Sequence, residues 1–171
     1  MANTYFAIAT VTVGSGGANA IEFTSIPQTY TDLNIKMSPR ATGSAVNWNY
    51  KITFNGASSG YSSKIMYGDG TGVTQFNGNA AFFDGIYMSA ATATANSFGT
   101  ADLYLPNYTG SNNKSISTES SATSNNTPTL GSQQAGLYSS SSAITSIKIQ
   151  AEGVSDLAQY STATLYGIKN S

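Results

Sequence analysis

Residues 21–37 read IEFTSIPQTYTDLNIKM, and the fold follows from that run. Ile21 and Phe23 alternate with Glu22 and Thr24, the period of two that marks a half-buried strand. Pro27 has no N–H to offer a ladder and holds Ile26 extended, so the strand stops there. After Tyr30 the alternation resumes, with Leu33, Ile35 and Met37 on one face and Asp32, Asn34 and Lys36 on the other. Two strands joined by a proline corner predict a change of sheet in a β-sandwich. Ile26, Pro27, Tyr30 and Asp32 are the structural residues of this corner. The Asp32 carboxylate is expected to accept backbone N–H groups of the turn.

The same period recurs outward from the corner. Residues 46–54 place Val46, Trp48, Tyr50, Ile52 and Phe54 on one face, and Asn55-Gly56 ends the strand with a dipeptide suited to positive φ. Further strands are predicted at residues 5–13, 61–67, 81–89, 98–105, 135–139, 144–151 and 160–168. Gly85 predicts a bulge, and a slip of phase is expected near Thr10. Residues 114–122 alternate weakly, with Ile116 as their one large apolar residue, and read as an edge strand. Residues 124–131 read as a loop, and residues 155–159 hold at most one turn of helix.

The expectation is an all-β chain: one antiparallel, jelly-roll-like sandwich of about ten strands spanning residues 1–171, almost free of helix. Its core is expected to hold Leu33, Ile35, Trp48, Tyr50, Ile52, Phe54, Ile147, Ile149 and Leu165. Residues 1–17 admit two readings. They are a strand of the sandwich, or an arm that swings out on the glycine-rich residues 14–17 and adds to a neighbouring sheet edge. As an arm, its contact residues are Tyr5, Phe6, Ile8, Val11 and Val13.

Composition narrows the chemistry. A chain of 171 residues suits one domain that buries roughly 70% of its unfolded surface. Seven basic residues against eight acidic ones leave no basic patch for nucleic acid or an anionic membrane. Only 9% of residues are charged, far below the roughly 25% of ordinary soluble domains, so the polar surface is built of Ser, Thr, Asn, Gln and Gly. There is no cysteine and no histidine, which excludes disulfides, thiolate zinc sites, Cys–His pairs and Ser–His–Asp triads. Residues 5–14 followed by Ala18-Asn19-Ala20 imitate a secretion signal, but no Lys or Arg precedes them and threonines interrupt the run, so none is expected. No run approaches the roughly 18 apolar residues of a membrane-spanning helix.

Three constellations invite a functional reading. Residues 67–72, YGDGTG, could cradle phosphate, yet no helix is predicted to follow them, and Asp69 has no second carboxylate near it for calcium. A hairpin turn is the expectation. The eight carboxylates are scattered singly, so no pair stands out for glycosidase chemistry. Trp48, Tyr50, Tyr61, Tyr67 and Tyr87 could form a sugar-stacking platform, but Trp48 and Tyr50 share a strand face with Ile52 and Phe54, which favours the core. No catalytic, metal or cofactor site is expected, and the chain does not read as an enzyme.

Residues 25–33, SIPQTYTDL, the strand ending Phe54-Asn55-Gly56, and residues 163–168, ATLYGI, resemble a group of small structural proteins of tailed bacteriophages. The resemblance implies a virion component assembled in the host cytoplasm, built as a sandwich or jelly roll and devoid of catalytic residues. Its favoured form is a capsid decoration, or cement, protein. Such a protein is held non-covalently to the major capsid protein and to copies of itself, as a trimer at three-fold positions. The same resemblance admits a carbohydrate-binding module of a fibre or tail appendage, with a glycan as partner.

Overall fold

The computed structural model describes residues 4–123 and 129–169. Twelve strands form two antiparallel sheets, and no helix occurs among the described residues. In chain order they are β1 (Tyr5–Thr12), β2 (Ala20–Phe23), β3 (Asp32–Ser38), β4 (Asn47–Phe54), β5 (Tyr61–Gly68), β6 (Val73–Asn77), β7 (Phe83–Ser89), β8 (Thr100–Leu105), β9 (Lys114–Ala122), β10 (Leu130–Tyr138), β11 (Ile147–Ala151) and β12 (Thr162–Ile168). The larger sheet runs β1-β12-β3-β8-β9-β10-β5-β6, and the smaller runs β2-β11-β4-β7.

The chain crosses between sheets at eight of its eleven strand-to-strand steps, so most strand neighbours come from distant parts of the sequence. That is the jelly-roll pattern, with the meander β8-β9-β10 filling one strand position and β12 and β1 widening the larger sheet beyond β3. The proline corner makes the expected change of sheet, since β2 lies in the smaller sheet and β3 in the larger.

Alternation dictates the core. In the smaller sheet Ile149 stands between Ile21 and Ile52, and Ile147 between Phe23 and Phe54. In the larger, Ile35 stands between Leu165 and Leu103. All of these are buried, as are Leu33 and Tyr50. Trp48 is only half-buried. It caps one end of the core, its ring packed against Gly43 and its Nε1 donating to the Glu152 carbonyl (2.6 Å). At the other end Phe54, Tyr61, Phe83 and Tyr138 form a cluster of ring pairs with centroids 4.8–6.4 Å apart.

The strand readings are corrected in four places. Residues 114–122 are not an edge. β9 sits between β8 and β10, facing β7 with Ile116 and then with Thr118 and Ser120, whose small hydroxyl side chains are buried. Ser120 Oγ bonds Ser132 Oγ (2.7 Å) and accepts the Tyr87 N–H (2.9 Å), and Gln134 donates to Ser63 Oγ (3.0 Å) and the Asp84 carbonyl (2.7 Å). Hydrogen bonding thus replaces apolar alternation along this seam. β6 had no clear period and went unread. Residues 155–159 form no helical turn; Leu157 instead bridges Ala18 and Ala41. The predicted loop at 124–131 ends early, because β10 already begins at Leu130, while residues 124–128 lie outside the described residues.

The bulge expected at Gly85 is present. The β4–β7 register shifts between Tyr50 and Ile52, and Gly85 adopts φ +71° there. β1 slips its register between Ala7 and Ala9, close to the expected phase change.

Candidate functional site

The outer face of the larger sheet is concave. A cavity of about 960 Å³ takes its walls from β1 on one side to β6 on the other. A second, of about 660 Å³, continues it and shares Lys36, Met66, Asp102, Glu119 and Gln133. Together they make a trough across the sheet.

Strand register places the trough's side chains in rows. Lys36, Asp102, Glu119, Gln133, Met66 and Gln75 stand opposite one another in turn, one on each of β3, β8, β9, β10, β5 and β6. The next row on the same face runs Tyr166, Asn34, Tyr104, Ser117, Ala135 and Lys64, and Lys64 then meets Asn77. Lys36 pairs with Asp102, and Lys64 donates to Asn77 Oδ1. Two ammonium groups, Lys36 and Lys64, thus balance two carboxylates, Asp102 and Glu119. These carboxylates lie far apart in sequence and face each other across β8 and β9.

One end of the trough is aromatic. Tyr5 meets Tyr166 edge-on with centroids 6.2 Å apart, and Tyr104 lies in the Tyr166 row. The Tyr104 hydroxyl donates to Asp32 Oδ2 (2.8 Å), a bond that fixes the ring and pushes the hydroxyl's pKa up. Asn34, almost wholly buried, donates to Asp102 Oδ1 (2.5 Å) and to the Leu103 carbonyl (3.1 Å), while its own Oδ1 has no donor among the described residues.

Of the residues singled out in the sequence, Tyr5 lines the first cavity and Tyr67 and Gly68 the second, while the others go elsewhere. β1 is paired to β12 along its length, as a strand of its own sandwich. Tyr5 is 54% exposed, but Phe6 packs on Tyr30 (5.8 Å), Ile8 and Val11 lean on the core, and Val13 is buried. In the corner, Ile26 is buried and the Pro27 carbonyl accepts the Tyr108 hydroxyl. Tyr30 lies over Gly167. Asp32 accepts a backbone amide of a different turn, that of Asn107 (2.9 Å), so it ties β3 to the turn after β8.

The five aromatics weighed as a platform are separated. Tyr50 and Tyr61 are core, Trp48 caps one end, and Tyr67, which lines the second cavity, pairs with Tyr87 (5.6 Å). Asp69 Oδ1 accepts from the Thr71 hydroxyl (2.6 Å), the Thr71 amide (2.9 Å) and the Gly72 amide (3.3 Å), and these bonds lower its pKa. Residues 69–72 are therefore the β5–β6 turn. Among the described residues no group of three or more acidic, His or Cys side chains could hold a metal ion.

Sequence reading missed the trough because its rows join residues from six or more strands that only the register aligns. No family model, no curated protein and no solved structure matches the chain.

Proposed function

We propose that this chain is a non-enzymatic structural component of a bacteriophage virion, of the capsid-decoration type, joined to the major capsid protein and to copies of itself. The observation that carries this reading is a contrast between sheet edges. Monomeric β-proteins guard open edges with charge, proline or bulges. The smaller sheet does so, with Glu22 on β2 and with Asp84 and the Gly85 bulge on β7. The larger sheet does not guard its edges with charge or proline: β1 (YFAIATVT) and β6 (VTQFN) contain neither, and a register slip in β1 is the one irregularity. Such edges suit pairing with a neighbouring chain. The low charge of the whole molecule suits neutral contacts multiplied over symmetric copies, as in a trimer at a three-fold position. The resemblance of residues 25–33 and 163–168 points to the same class.

The test is co-sedimentation of the purified chain with phage capsids that lack it. Exposed ion pairs contribute only about 0–1 kcal/mol each, so binding should survive about 0.5 M salt. Ala7→Lys and Thr74→Lys place a charge on β1 and β6 at exposed positions. Each should leave the fold intact to within about 0.5 kcal/mol. At least one should lower the bound fraction about tenfold or more. Release by moderate salt, or wild-type binding by both variants, would reject the mechanism.

A further inference from the structure

We infer that the trough on the outer face of the larger sheet is a binding site for a neutral oligosaccharide, a role beyond attachment to a capsid. Its size is the first reason. About 960 Å³, continued by about 660 Å³, reaches and passes the roughly 300–1,000 Å³ of small-ligand sites and gives room for several sugar rings in a line.

Charge is the second reason. Lys36 and Lys64 against Asp102 and Glu119 leave no net charge, which suits neither a nucleic acid nor an acidic or basic peptide. A wholly apolar ligand would strip water from these four charges and from the Gln133 and Gln75 amides. A saccharide instead offers both hydroxyls and apolar ring faces to a lining that is itself mixed, with Met66, Phe76 and Ala135 beside the polar groups.

The third reason is hydrogen-bonding capacity. The side chains of Glu119, Gln133 and Gln75 are exposed in the trough and make no hydrogen bond within the described residues. Side-chain amides donate and accept at once, as a saccharide's neighbouring hydroxyls do. Aromatic surface is the fourth. Tyr5 and Tyr104 line one end, Tyr5 backed edge-on by Tyr166 and the Tyr104 ring held by Asp32, so an apolar face is already in place for a pyranose ring to stack upon.

The experiment is calorimetric titration of the full chain with a panel of neutral hexasaccharides: a β-glucan, an α-mannan, a galactan and a chitin-derived oligomer. At least one should bind with a Kd below about 1 mM, unchanged between about 0.05 and about 0.5 M salt. Gln133→Ala and Tyr5→Ala, both at exposed positions, should each weaken it about tenfold or more. Val154→Ala, fully exposed and away from the trough, should leave it unchanged. No binding by any panel member, or binding that survives both trough substitutions, overturns the inference. A preference for a polyanion that salt abolishes overturns it too. Co-sedimentation of Gln133→Ala with capsids separates the two roles, because this variant should still attach.

Discussion

At the residue scale, Gly167 shows how closely the corner and the C-terminal strand are fitted. A Cβ at position 167 would lie 2.3 Å from the nearest atom of the Tyr30 ring. The backbone there is ordinary, so the demand is for space and not for an unusual φ. Tyr30 in turn packs on Phe6, and the Lys169 ammonium sits 5.8 Å from the Tyr30 ring and 5.9 Å from that of Phe6. Gly167→Ala should therefore cost about 1–3 kcal/mol, read as a lower urea midpoint with an unchanged slope. In a Tyr30→Ala background the same substitution should cost far less, since the clashing ring is gone. Equal costs in both backgrounds would show that the ring is not the obstacle. Residues 25–33 and 163–168 thus touch at this contact.

At the element scale, β1 separates the two readings left open for residues 1–17. Seven residue pairs join it to β12 across one register slip. The Val13 amide donates to the Ser161 carbonyl (2.8 Å), and the Val13 carbonyl accepts the Tyr160 amide (2.9 Å). Removing residues 2–13 would bare β12 and take away Val13 and the half-buried Phe6, Ile8 and Val11. Full burial of such side chains is worth about 1.5–3 kcal/mol each, so the truncated chain should lose at least about 3 kcal/mol in chemical denaturation. An unchanged midpoint would restore the detachable arm. The single-lysine edge variants are the sharper probe of assembly, because they leave this packing in place.

At the scale of the whole molecule, buried tyrosines set the alkaline limit. Burial pushes Tyr61 up to about 12 and Tyr50 well above the ordinary 10.0, and it also raises Tyr87 and Tyr108. The folded state keeps these protons after the unfolded chain has lost them. Stability is therefore full below about pH 10 and falls as pH rises toward about 12. Lys114 acts in the opposite sense. Its ammonium is buried and donates to the carbonyls of Gly110 (2.7 Å), Asn112 and Ser140 (3.4 Å). Burial lowers its pKa below 10.5, so stability rises as pH approaches 10.5 from below. The expected profile climbs gently and then drops steeply, with tyrosinate absorbance appearing together with loss of β circular dichroism. Tyr61→Phe should flatten the drop. It should also cost about 1 kcal/mol at neutral pH, because the Phe54 amide donates to that hydroxyl (2.8 Å). A melting temperature constant from pH 9 to about pH 12 would contradict this account.

Period-two alternation in residues 21–37, 46–54 and 144–151 was sufficient to determine an all-β sandwich, its change of sheet at Pro27 and most of its core. Burial on one face and water on the other is a local demand that each strand must write into its own residues. β9 was legible as a strand but not as an interior one, because buried hydroxyls satisfied by Ser132 and Tyr87 stand where apolar side chains would be, and β6 was not legible because it lies exposed at an edge. The trough escaped it for a different reason. Lys36, Asp102, Glu119, Gln133 and Gln75 each look like a solvated residue on the outer face of a strand. Only the order and register of the larger sheet line them up, and only its curvature turns that line into a cavity. No local rule records which strands become neighbours, so the site exists only once the sheet is complete.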